Sequence, residues 1–220
     1  MIKSGALTQN MVLTQAVVTM LIALPIGLYF SALHPGLIWI ILAAAFLNVA
    51  YTPILTKTIT TELSCGIGLG ILPVWGGYFV MQTTGVIRFS SALVWLSLPV
   101  CVLMAALLWI NEIPDIAADR ATGRRHAVLL LGSSAAARGY VVLVVIAYAS
   151  IVTPVVLGVL PAWCLLGLCT LPLAIKAGAG AVKNNTDTRA IVPALIQNYF
   201  VALITPILMA AGLLITKLTT

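Results

Sequence analysis

Runs of about 20 apolar residues dominate this chain and leave little freedom in what it can fold into. They lie at roughly 11–32, 36–52, 64–83, 89–110, 138–158, 160–177 and 193–216. A helix rising 1.5 Å per residue needs about 20 such residues to cross a bilayer. The runs therefore predict an all-α integral membrane protein of about seven transmembrane helices, in which the second is short for a span. Only 7% of the residues are charged and 62% are hydrophobic, so polar groups cannot cover a water-soluble surface. Proline and glycine interrupt several runs, Pro73 and Pro99 among them. Membrane helices tolerate them because neighbours satisfy the freed backbone groups. One membrane domain over 1–220 is expected, with no soluble domain, repeat or low-complexity tract.

The net charge of +6 does not indicate a nucleic-acid partner, because the basic residues sit in short gaps between apolar runs. Placing the N-terminus inside puts Lys3, Lys57, Arg120, Arg124, Arg125, Arg138, Lys176, Lys183 and Arg189 on the inner side. Arg88 and Lys217 fall outside. That bias predicts a cytoplasmic N-terminus and cytoplasmic loops at 53–63, 111–137 and 178–192. The opening "MIKSGALTQN" lacks the apolar core and small-residue cleavage site of a signal peptide. Cys65, Cys101, Cys164 and Cys169 read as free thiols in or beside apolar runs, with no histidine placed to make a metal site with them.

One stretch breaks the pattern. "NEIPDIAADRATGRRHA", 111–127, holds three of the five acids and three arginines. Asn111, Asp115 and Asp119 are spaced four apart, which on a helix stacks side chains on one face. Two carboxylates about 6 Å apart repel unless a cation lies between them, and Mg²⁺ takes oxygen ligands shared with phosphates. Pro114 suits the first turn of a new helix, which makes Asp115 and Asp119 the better pair. Gly123 can end that helix, and Arg124 and Arg125 can fork onto phosphate oxygens. The combination suggests a diphosphate site at a membrane surface. D-x-x-x-D alone is a weak pattern, and a solvated, self-paired loop anchoring the topology is its plain alternative.

The wider segment "NEIPDIAADRATGRRHAVLLLG" resembles the second aspartate-rich motif of the UbiA family of membrane prenyltransferases. The likeness is strongest to the branch containing 1,4-dihydroxy-2-naphthoate polyprenyltransferases. "YTPILTK" (51–57) resembles the family's Tyr-Ser/Thr-x-Pro-Pro-x-Lys loop, "ILPVWGGYFV" (71–80) the helix after it, and "VPALIQNYFVALITPILMAAGLLI" (192–215) the final helix. The resemblance implies a helical membrane bundle that moves a polyprenyl group from its diphosphate to an acceptor, commonly an aromatic ring. Quinone biosynthesis is the implied setting, with menaquinone formation as the example. Mg²⁺, held by two aspartate-rich loops around the diphosphate, is the implied cofactor. Carried onto this chain, Asn111, Asp115 and Asp119 become the second magnesium set, and Arg124, Arg125 and Lys57 become diphosphate contacts. Lys57 is equally readable as a topology anchor. His126 stands where the family has threonine and reads as a loop residue. Asp187 and Arg189 rim the pocket on this reading, or belong to a solvated loop.

The family's first aspartate motif has no counterpart here. The only acid before residue 112 is Glu62, which could substitute as a ligand but is not adopted as one. "SGALTQNMVLTQAV" resembles the segment entering the family's third helix, so the chain reads as the last seven of nine helices. Three explanations follow: a truncated start, a second chain supplying the missing helices, or lost catalysis. The competing functions are a non-catalytic remnant or prenyl-lipid-binding subunit, and a small transporter. Transport ranks last because the spans carry almost no charge.

Overall fold

The computed structural model describes residues 8–82 and 89–219. Arg88 and Lys3 of the topology count lie outside the described residues. All regular structure within them is helical. Helix α1 covers Gln9–Leu33 and α2 Leu37–Tyr51. Helix α3 covers Thr61–Val80, with a widened π segment at Ile67–Ile71. Helix α4 covers Ser91–Glu112. Two short helices follow, α5 at Ile116–Ala121 and α6 at Ala127–Leu131. Then come α7 at Ser133–Val156, α8 at Ala162–Asn184, whose first part is 3₁₀, and α9 at Val192–Thr219.

Six of these helices are long and apolar enough to cross a membrane: α1, α3, α4, α7, α8 and α9. Helix α2 is apolar but has only 15 residues. The seven apolar runs thus correspond one to one with helices. Two edges differ from the sequence expectation. Helix α7 begins at Ser133 rather than at 138, and α8 continues to Asn184 rather than ending near 177. In both cases the added turns are rich in alanine, glycine and serine, with weak hydropathy but close packing. Ala136, Ala137, Ala177 and Ala181 are all buried.

The main core joins α4, α7, α8 and α9 around Ile110, Tyr140, Ile151 and Val201. A smaller cluster of Leu37, Phe79 and Leu93 joins α2, α3 and α4. Lipid is as apolar as the core, so close backbone approach and polar bonds between helices carry much of the cohesion. Gly70 gives one of the closest approaches: a Cβ there would lie 2.6 Å from Cys101 Cα and 2.7 Å from its nitrogen. The Tyr140 hydroxyl donates to Asn198 Oδ1 at 2.7 Å, linking α7 to α9. The Tyr148 phenol lies 2.7 Å from the Thr170 hydroxyl, itself 2.6 Å from that of Thr205. Among the thiols, Cys101 and Cys164 are buried as expected, while Cys169 is exposed.

Candidate functional site at the loop end of the bundle

The charged stretch folds as a chain of short pieces rather than one long loop. Pro114 follows Ile113, where α4 has ended, and Asp115 caps α5. The Asp119 N–H donates to the Asp115 carbonyl at 2.8 Å, so these two aspartates stand one helical turn apart. Asn111 lies across the break, on α4. Gly123 terminates α5 in the left-handed region with φ 76°, and Gly132 separates α6 from α7 with φ 75°.

The expected site residues have different surroundings. Asn111 is exposed and donates its amide to the Leu107 carbonyl at 2.7 Å, leaving its side-chain oxygen as the available donor atom. Asp115 is exposed. Asp119 is buried, and both its oxygens face partners: Arg124 Nη1 lies 3.2 Å from Oδ1, and His126 Nε2 lies 3.1 Å from Oδ2. Asp115 and Asp119 therefore share a turn but not an exposed face.

Lys57 closes a 3₁₀ turn at Leu55–Lys57 and is exposed. The Arg125 N–H donates to the Thr56 carbonyl at 3.0 Å, which fastens the charged loop to this turn. Lys57 and Arg125 thus belong to the same end of the bundle. Arg120, Arg124 and Arg125 line a recess of about 440 Å³ with Gly123, Leu129 and Leu130. A second recess, of about 400 Å³, brings Arg120, Ile113 and Ile116 against Asn185, Thr186, Asp187, Thr188 and Ile191. Asp187 belongs to its wall. Arg189 is not among its lining residues, and its backbone N–H donates to Asp187 Oδ1 at 2.9 Å, as does that of Ala190. These donors hold the Asp187 carboxyl below its ordinary value, Ala190 contributing most.

Behind the loop stand residues that the spacing argument did not select. His126 is wholly buried rather than a solvated loop residue, and it caps α6. Its Nδ1 lies 3.3 Å from Glu112 Oε2 and 3.9 Å from Glu62 Oε1. Glu62 comes from the foot of α3 and accepts the Val128 N–H at 3.2 Å. The available signal was that both glutamates sit at the edges of apolar runs, in a chain with five acids.

An apolar cleft of about 820 Å³ runs between α7 and α8, lined by Val141, Val145, Leu171, Ile175 and Gly178, with Tyr148 among them. Its lining includes Val141 of α7, two turns from Ser133, and Val182 of α8, close to Asn185. Ser133 and Asn185 both line the second recess.

Residues 1–204 match the UbiA prenyltransferase family. The chain belongs to the UbiA prenyltransferase family. Within it, the 1,4-dihydroxy-2-naphthoate octaprenyltransferase of Bacillus subtilis (strain 168) is 30% identical over 146 residues. That stretch is 66% of this chain and 44% of the relative, so less than half of the relative's length is spanned. No solved structure matches the chain. The all-helical architecture and the UbiA membership agree with the fold class and family expected from the sequence.

The family implies Mg²⁺, and the donor chemistry of the exposed residues fits it. Asn111 and Asp115 offer hard oxygen atoms, and the following segment, 120–125, lines a recess with three arginines.

Proposed function

We propose that this UbiA chain takes part in transferring a polyprenyl group from a polyprenyl diphosphate to an aromatic acceptor in quinone biosynthesis, 1,4-dihydroxy-2-naphthoate being the first acceptor to test. The observation that carries the reading is the arginine-lined recess at the loop end of an apolar bundle, whose Arg124 pairs with Asp119, one helical turn from Asp115. Asn111, Asp115 and Asp119 are the residues that would hold Mg²⁺, Asp119 through the oxygen it shares with Arg124. When bound, the ion would offset the negative charge of the diphosphate. Orientation follows the positive-inside bias, with this end and the N-terminus cytoplasmic.

The protein's own groups supply the rest. Arg124 and Arg125 fork onto diphosphate oxygens, and Lys57 adds a point charge from the neighbouring turn. As the allylic C–O bond breaks, negative charge gathers on the leaving diphosphate, where these fixed cations stabilise it. The apolar cleft takes the polyprenyl chain and excludes water that would capture the electron-poor carbon. An acceptor ring carbon then bonds to that carbon and loses its proton.

A second reading draws on the single aspartate-rich set. The acids within residues 1–220 are Glu62, Glu112, Asp115, Asp119 and Asp187, which supply one such set. On that reading the chain binds a prenylated lipid without turnover, or needs a second chain to complete the site. Membranes containing this chain alone, given polyprenyl diphosphate, Mg²⁺ and 1,4-dihydroxy-2-naphthoate, separate the two. Prenylated product that disappears with Asp115→Ala supports catalysis by this chain. Retention of labelled polyprenyl diphosphate without product favours the binding role.

A further inference from the structure

The cluster behind the loop leaves buried polar atoms without partners. Glu62, Glu112 and His126 each offer a donor atom, and these atoms lie within 4.8 Å of one another. His126 is 0% exposed, and each glutamate side chain is 4% exposed. Glu62 Oε2 and both oxygens of Glu112 are buried without a hydrogen-bond partner. The 3.3 Å approach of Glu112 Oε2 to His126 Nδ1 is close but lacks hydrogen-bond geometry. Buried carboxylates in this condition are strongly unfavourable unless something positive sits among them.

The histidine shows which face is ready to receive it. With the Leu129 N–H directed at Nδ1, the ring proton belongs on Nε2, which sits 3.1 Å from Asp119 Oδ2. Nδ1 then carries a lone pair. It accepts the Leu129 N–H at 3.3 Å, a long bond, and it also faces the two carboxylates. A carboxylate holding the far nitrogen of an imidazole is the usual support for a metal-ligating histidine. Asp119 is itself balanced by Arg124. The unpartnered oxygens of Glu62 and Glu112, facing that lone pair, form a donor set that a divalent cation would fill.

We propose that Glu62, Glu112 and His126 form a buried site for a divalent first-row transition ion, of the Zn²⁺ or Mn²⁺ class. The site is distinct from the diphosphate-facing residues and holds whether or not this chain catalyses prenyl transfer. A nitrogen donor favours these ions over Mg²⁺. Ligand atoms around a tetrahedral ion with bonds of about 2.1 Å stand about 3.4 Å apart. The observed 3.3 and 3.9 Å separations from Nδ1 need little contraction. The ion would take the place of the long Leu129 contact on Nδ1 and engage the orphaned glutamate oxygens. It would tie α3, α4 and the start of α6 together, fixing the loop that carries Asp115 and the arginines.

The test uses the whole chain in detergent micelles, stripped with chelator and re-equilibrated with ZnCl₂ or MnCl₂ against a large excess of Mg²⁺. The expected result is about one equivalent of ion per chain by mass spectrometry of the elements, and a melting temperature raised by about 5 °C. Asp115→Asn retains the ion, whereas Glu62→Gln and Glu112→Gln weaken it by about tenfold or more. Less than about one tenth of an equivalent of either ion in the wild-type chain overturns the proposal and leaves protons as the neutralising charge. Full retention by folded Gln variants overturns it as well. Should those variants not fold, pulsed EPR of the Mn²⁺-loaded wild type decides. Nitrogen coupling supports His126 as a ligand, and its absence overturns the site.

Discussion

Arg124 Nη1 lies 3.2 Å from Asp119 Oδ1, and the other oxygen of the same carboxylate faces the buried His126 at 3.1 Å. Asp119 therefore joins the exposed arginine recess to the interior cluster. Replacing it with Asn keeps the shape but removes the charge serving both partners. Asp119→Asn should lower stability by about 2 kcal/mol, a loss set by charge-assisted bonds to a half-exposed arginine and a buried imidazole. Thermal unfolding in detergent measures it. Arg124→Ala should cost less, because the His126 contact survives.

The three arginines of the recess should not be equivalent. The Arg125 side chain makes no ion pair among the described residues, while Arg124 is already shared with Asp119. On the diphosphate reading, Arg125→Ala should weaken inorganic pyrophosphate binding by about tenfold with little change in stability. Calorimetry at two salt concentrations tests this. A loss that is the same at both concentrations argues against a direct charge contact at this partly open recess.

The α3–α4 seam predicts a sharp difference between two glycines. A Cβ added at Gly70 would stand 2.6 Å from Cys101 Cα, whereas one added at Gly77 would meet nothing within 4 Å. Gly70→Ala should destabilise by about 1–3 kcal/mol through overpacking. Gly77→Ala should be close to neutral. Melting temperatures of the two variants, side by side, provide the check.

The 185–191 turn should loosen in acid. Backbone donation from Ala190 and Arg189 holds the Asp187 carboxyl below its ordinary value of 3.8. The folded turn thus favours the ionised form. Its contribution is fully present above the ordinary value and is lost as pH falls through the lowered one. Amide exchange at Arg189 and Ala190, corrected for intrinsic rate, should rise over that window. Asp187→Asn should remove the pH dependence.

The spans were legible because twenty-residue apolar runs have few alternatives, and Gly123 and Pro114 marked the breaks around α5 correctly. The ends of α7 and α8 were not. Their outer turns, "SSAAA" and "AGAGAVKN", pack through small side chains whose hydropathy is too weak to announce a helix. The i, i+4 spacing of Asp115 and Asp119 was real, but spacing cannot say which member turns inward. The pairing of Glu62 with Glu112 and His126 depends on how α3 meets α4, with 50 residues separating the two glutamates. His126 was hidden for a related reason. A polar residue in a charged loop looks solvated until tertiary packing closes over it.

Helix α2 has a consequence for the surrounding lipid. Its 15 residues extend about 23 Å, against a hydrocarbon layer of about 30 Å. A shortfall of that size is met by local thinning of the bilayer or by sinking the flanking turn below the headgroups. The turn after α2 is suited to such depth, since its hydroxyls bond inward. Thr56 donates to the Thr52 carbonyl, and Thr58 and Thr61 both donate to that of Leu55. The membrane surface would dip beside Lys57, and on the diphosphate reading a lipid-borne ligand would meet these cations in a funnel of thinned bilayer rather than on a flat plane.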